Sequence, residues 1–173
     1  MPKKRLVAEG KLLLLLVIAL GACKKSPTMA SINLGENTTF VACDPTSGGP
    51  GISVGVAVFV TKNSDEIRVF GLEMSFDPQM FQYQEVISGN LTDSWAAIDA
   101  NKVNSGTLRI GGFAGGGRTI SRDSQGALAL VRLKVTAANS SNSQPTEICI
   151  NQFTDDLSGF KPAPACTTFT FKK

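Results

Sequence analysis

Between residues 52 and 60 the chain reads Ile-Ser-Val-Gly-Val-Ala-Val-Phe-Val. In an extended backbone Ile52, Val54, Val56, Val58 and Val60 fall on one side, and Ser53, Gly55, Ala57 and Phe59 on the other. That period of two belongs to a strand; a helix, with its period of 3.6, would scatter the five branched residues around its axis. The same alternation returns over residues 68–76, where Phe70, Leu72, Met74 and Phe76 oppose Val69, Gly71, Glu73 and Ser75. It returns again over 127–136, with Ala129, Val131, Leu133 and Val135 on one face. Each such strand has an apolar face that must be covered, so the chain has to stack strands against strands.

The remaining punctuation fits that demand. Asp77-Pro78 ends one ladder, because proline has no N–H to donate and aspartate bonds its own backbone in a turn. Residues 44–51, 62–66, 88–90 and 115–125 are rich in glycine, proline, serine, asparagine and aspartate, and read as turns and loops. Between them lie further strand-like runs at 38–42, 81–87, 107–113, 146–153 and 167–171. In 107–113, Leu108 and Ile110 face inward and Thr107, Arg109 and Gly111 outward. Residues 95–103 fit either a strand or a helical turn, and 139–145 form a polar linker loop. Eight or nine short strands without an amphipathic helix predict an all-β sandwich or jelly roll. With 173 residues, 42% of them apolar, one such core can be filled but not comfortably two.

The N-terminus is of another kind. Lys3, Lys4 and Arg5 precede the apolar run 12–20, which has the length of a secretory h-region and is too short to span a bilayer. Leu20-Gly21-Ala22-Cys23 then resembles the lipobox of bacterial lipoproteins. The resemblance implies removal of residues 1–22, acylation of Cys23, and stable anchoring to a membrane by more than one acyl chain. Residues 23–36 are then a polar tether and 37–173 the folded domain, placed at the bacterial cell envelope, on the outer membrane or cell surface.

Several chemistries are disfavoured at once. There is no histidine, which excludes Ser-His-Asp and Cys-His catalysis and His-based zinc sites. Four of the 17 basic residues and one of the 14 acidic ones lie in residues 1–22, so the remainder carries 13 of each and has no basic surplus to attract nucleic acid. The stretch from Gly111 to Arg118 is glycine-rich but lacks the Gly-Lys-Ser/Thr ending of a phosphate loop. Asp123, Asp155 and Asp156 are the carboxylates to consider for glycoside hydrolysis, but neighbours on a strand point to opposite faces, so no catalytic residue, metal ligand or cofactor is expected. Trp95 and Tyr83, the only residues of their types, fit core or rim packing better than a sugar platform. The sequons at Asn37, Asn90 and Asn139 carry little meaning in a bacterial lipoprotein. Of the cysteines beyond Cys23, the first choice for a disulfide is Cys149 with Cys166, the nearest in sequence; Cys43 is then free, or it replaces one of them.

Taken in order, these blocks resemble a cohesin domain. The similarity is carried by residues 52–60 after Gly49-Pro50-Gly51, by Gly71 through Phe76-Asp77-Pro78 with Phe81, and by Gly89. It continues through Gly106-Thr-Leu-Arg-Ile-Gly-Gly, Gly126-Ala-Leu-Ala-Leu-Val-Arg-Leu-Lys-Val and Phe153-Thr-Asp-Asp-Leu-Ser-Gly. The resemblance implies a nine-stranded jelly roll that binds the helices of a dockerin-like domain on one flat sheet face. In this chain that face would be formed by Val69, Glu73, Ser75, Thr107 and Arg109. The expected role is a non-enzymatic binding module. A polysaccharide ligand, or a structural envelope role with no dedicated ligand, are the alternatives.

Overall fold

The computed structural model describes residues 35–136 and 145–172; the signal segment, Cys23, nearly all of the tether, Asn139 and most of the linker loop lie outside them. The described residues contain no helix and so none long and apolar enough to cross a membrane. They form β1 (Thr38–Asp44), β2 (Ser47–Gly48), β3 (Ser53–Thr61), β4 (Val69–Phe76), β5 (Phe81–Ser88), β6 (Ala97–Asn104), β7 (Thr107–Phe113), β8 (Gly126–Val135), β9 (Pro145–Asp155), β10 (Lys161–Pro162) and β11 (Cys166–Phe171). Nine are proper strands; β2 and β10 are two-residue pieces.

The first sheet has the order β10-β1-β3-β8-β5 and the second β2-β11-β9-β4-β7-β6. All long strands pair antiparallel, while β10 and β2 pair parallel with β1 and β11 at the rims. Two such sheets stacked face to face make the predicted sandwich. The inward rows are those that the alternation marks: Val54, Val56, Val58 and Val60 meet Phe70, Leu72, Met74 and Phe76, with Leu108, Ile110, Ile148 and Ile150 beside them. Phe81 of the first sheet packs edge-on to Phe169 of the second, ring centroids 5.3 Å apart.

Three features settle, adjust or add to the sequence reading. Residues 97–104 are a strand, entered through a turn in which the Trp95 N–H donates to Thr92 O at 3.0 Å. Its weak pattern comes from its place at the edge of the sheet, where only Ile98 and Ala100 reach the core. The strand expected from residue 146 begins at Pro145 and runs eleven residues. The outward side of β3 is solvated only at its start: beyond Ser53 and Gly55, Ala57 and Phe59 are buried together with Phe40, whose ring stacks on Phe59 at 4.8 Å. Alternation tells which residues share a face, not whether that face is covered.

The Asp77-Pro78 turn carries the chain from the second sheet to the first. Asp77 Oδ1 accepts from Gln79 N at 2.8 Å and Asp77 O from Phe81 N at 2.9 Å, so β5 starts immediately. At the far end of β5, a Cβ on Gly89 would collide with the Ala127 backbone. There the buried Thr92 hydroxyl donates to Leu128 O at 2.6 Å and accepts from Gly89 N at 3.0 Å. These two turns fix β5 against β8 and leave β4 free to sit centrally in the second sheet.

Candidate functional site

The outer face of the second sheet is the broad surface on which the candidate residues lie. Register sets its outward residues in rows across β6, β7, β4 and β9. The first row is Ala97, Phe113 and Val69; the second is Asp99, Gly111, Gly71 and Thr154. The third is Asn101, Arg109, Glu73 and Asn151; the fourth is Asn104, Thr107, Ser75 and Cys149, extended by Cys166 on β11. At strand dimensions this is about 20 Å along the strands and about 14 Å across the four of them. All five expected residues, Val69, Glu73, Ser75, Thr107 and Arg109, therefore share one face, because β4 and β7 are direct neighbours.

Glu73 does not sit there as a solvated carboxylate. It is only 9% exposed: Arg109, directly opposite, donates from Nη2 to Oε1 at 2.8 Å. Gln152 lies on its other side, its amide nitrogen 3.1 Å from Oε2 in the orientation that satisfies both groups. Gln152 reaches this place because β9 bulges there, with residues 152 and 153 together opposite Leu72 and Gln152 in the left-handed region at φ 50°. What the face displays at its centre is the Arg109 side chain, 67% exposed, over a carboxylate that already neutralises it.

The disulfide joins Cys149 to Cys166, with Cα atoms 4.0 Å apart on facing positions of β9 and β11. Glu147 lies beside it, its carboxylate and both sulfurs within 4.8 Å of one another, but sulfurs bonded to each other offer no thiolate to a metal. Cys43 is buried with a free thiol on the inner side, 3.6 Å from Thr168 O.

The other candidates are dispersed. Asp156 Oδ2 accepts from the backbone of Arg68 and Val69 at 2.7 and 3.1 Å and fastens the turn after β9 to the start of β4. Asp155 accepts from the Thr154 hydroxyl at 2.9 Å, and Asp123 sits in a separate loop, its N–H bonded to Asn63 O at 2.9 Å. These aspartates organise turns rather than a common cleft. Gly116 and Gly117 have φ of 64° and 78°, which only a turn needs, and no helix follows them. Trp95 packs on Phe70 at 5.7 Å and closes one end of the core. Tyr83 lies in an open groove of about 420 Å³ with Pro78, Lys102 and Thr136, the Lys102 ammonium 5.8 Å from its ring centre. Burial raises the Tyr83 pKa above its ordinary value, and the nearby carboxylates of Asp99 and Glu85 add to the shift.

Sequence reasoning missed what β6 and β9 add to the face, including Asp99, Asn101, Asn104, Asn151, Gln152 and Thr154, and on β7 it missed Phe113. Phe113 is 53% exposed, and it continues the odd-numbered series Thr107, Arg109, Gly111, so extending that series by one step would have found it. Gln152 could not have been found, since a bulge leaves no mark in the alternation around it.

Sandwich and face define a class: a β-jelly-roll module whose second sheet presents a broad outer face. A family model for the cohesin domain matches residues 39–158, and the chain belongs to the cohesin domain family. Compared with curated proteins, the chain has no match. Among solved structures it resembles a non-cellulosomal cohesin from the archaeon Archaeoglobus fulgidus, 19% identical with TM-score 0.59, over 79% of this chain and 92% of that one. It also resembles the third cohesin of ScaC from Acetivibrio cellulolyticus, solved with the ScaB dockerin: 20% identity, TM-score 0.59, 78% of this chain and 98% of that one. A third is the OlpA cohesin of Clostridium thermocellum, solved in a cohesin–dockerin complex: 14% identity, TM-score 0.62, 79% of this chain and all of that one. At these identities the likeness is one of fold.

Proposed function

We propose that this chain is a non-catalytic binding module, held at the bacterial cell envelope by an acylated Cys23, that docks a dockerin-like partner domain on the outer face of its second sheet. The observation that carries the reading is the face itself: four adjacent strands present mostly small or short polar side chains, Ser75, Thr107, Asn101, Asn151 and Thr154 among them, around a self-neutralised Arg109–Glu73 pair. With Arg109 already neutralised, a surface of that kind can meet a helix closely and leaves the Asp99 carboxylate on β6 for the partner to pair. Relatives solved with dockerins support the choice of partner, and the lipobox-like Leu20 to Cys23 supports the anchor.

A pull-down with the full chain as bait tests the reading, run against purified dockerin domains with and without a calcium chelator and against insoluble polysaccharides. Calcium-dependent retention of a dockerin is the expected result. Retention on a polysaccharide alone would replace the docking reading with glycan binding, and no retention at all would leave a structural envelope role.

A further inference from the structure

Val69 and Phe113 are two of the three exposed large apolar residues among the described ones, and they lie directly opposite each other on β4 and β7. Single exposed apolar side chains are common; a facing pair on a broad open sheet is less so. One step along β7, Gly111 lies between Phe113 and Arg109 in the outward series. A Cβ built on Gly111 would meet only Phe70 O, at 3.2 Å, so the space above that glycine is open. The neighbouring Gly71 differs, because Thr154 Oγ1 already fills the place of its Cβ. The result is a notch one side chain wide, walled by Phe113 and Val69 on one side and by the Arg109 stem on the other. On β6, Asp99 pairs with Gly111 and borders the notch; it makes no ion pair among the described residues, whereas Arg109 is neutralised by Glu73. The notch thus has a backbone floor at Gly111, apolar walls along β7, and carboxylates to either side, Asp99 on β6 and Asp155 Oδ2 over Gly71 on β4.

We infer that this notch is the specificity-determining subsite of the face: it takes one apolar side chain of the partner's helix, with a basic residue one helical turn away over Asp99. Residues at i and i+4 share one side of a helix, so a single helix crossing β7 can supply both groups. The inference rests on the docking reading for the helix but on this chain's own residues for the chemistry. Rim charge contributes chiefly to choice of partner and to rate, and the apolar anchor to the lifetime of the complex.

Two synthetic alanine-based helices test it, one with a leucine flanked at i−4 and i+4 by lysines, the other by glutamates. Each is titrated into the isotopically labelled full chain and followed by amide shifts. The lysine helix should bind at least tenfold tighter at low salt, moving the amides of Asp99, Gly111 and Phe113, and the preference should shrink in high salt. Phe113→Ser and Gly111→Val should each weaken it about tenfold or more; the serine variant is a surface change that leaves the core alone. Equal binding of the two helices, no binding, or shifts confined to other surfaces would overturn the notch. A dockerin that binds wild type and Gly111→Val equally would remove the subsite while keeping the docking face. Lysine-helix selectivity without capture of any dockerin would keep the subsite and remove the dockerin.

Discussion

At the scale of single residues, the Arg109–Glu73 pair behaves asymmetrically. Glu73 is covered and Arg109 is not, so the two partners respond differently to truncation. Removing the arginine leaves a carboxylate desolvated with only the Gln152 amide against it, whereas removing the negative charge leaves a guanidinium free to turn into water. Arg109→Ala should therefore cost about 1–2 kcal/mol and Glu73→Gln less than about 1 kcal/mol, as read by urea unfolding. The reverse order would show that Arg109 does not hold Glu73 in solution. Tyr83 offers a second test, since it is the only tyrosine and its absorbance titration is uncontaminated. Burial first, and Asp99 and Glu85 second, disfavour the phenolate, so its midpoint should lie above 10.0 and move down in Asp99→Asn. By linkage the unfolded chain loses this proton first as pH rises. The contribution of Tyr83 to stability is complete below its unfolded pKa and is lost as pH climbs through the folded one.

At the scale of elements, the Cys149–Cys166 bond ties β9 to β11 and closes a loop with a sequence separation of 17. Loops of that size contribute about 3 kcal/mol in the chain-entropy model. Replacing both cysteines by serine should lower unfolding stability by about 2–3 kcal/mol and leave the helix titrations unchanged. A loss of binding as large as that of Phe113→Ser would instead give the bond a part in the face. The strands themselves were largely legible from sequence, because alternation is a direct image of a sheet that buries one side. The valine row of β3 and the phenylalanine-rich row of β4 needed no partner to be read. β6 was ambiguous because an edge strand needs few apolar residues, and the burial of Ala57 and Phe59 was invisible because alternation within β3 carries no information about the β1 and β8 side chains that pack beside them. The candidate face was half legible: the resemblance pointed to it and parity gave the outward residues of β4 and β7, but the members on β6 and β9, the depth of Glu73 and the approach of Gln152 depend on a bulge and on pairing between strands up to some eighty residues apart.

At the scale of the whole molecule, the proposed anchor makes a claim independent of the sandwich. Cys23→Ser should abolish incorporation of labelled palmitate and release the chain from the membrane fraction. Membrane association that persists without the label would place the attachment elsewhere. Anchored proteins share a surface and meet one another at high local density, a condition in which unpaired sheet edges join molecules together. Each of the four edges of this sandwich carries a feature that shortens or bends the ladder it offers. On one side β10 and β2 lie as two-residue splints along β1 and β11. On the other side the terminal strands β5 and β6 each carry a break in register, at Tyr83/Glu85 and at Lys102/Asn104, beside exposed charged or polar side chains. A neighbouring copy finds only short or bent stretches of ladder to extend, so on an anchored surface copies would meet through their faces more readily than by joining into a common sheet.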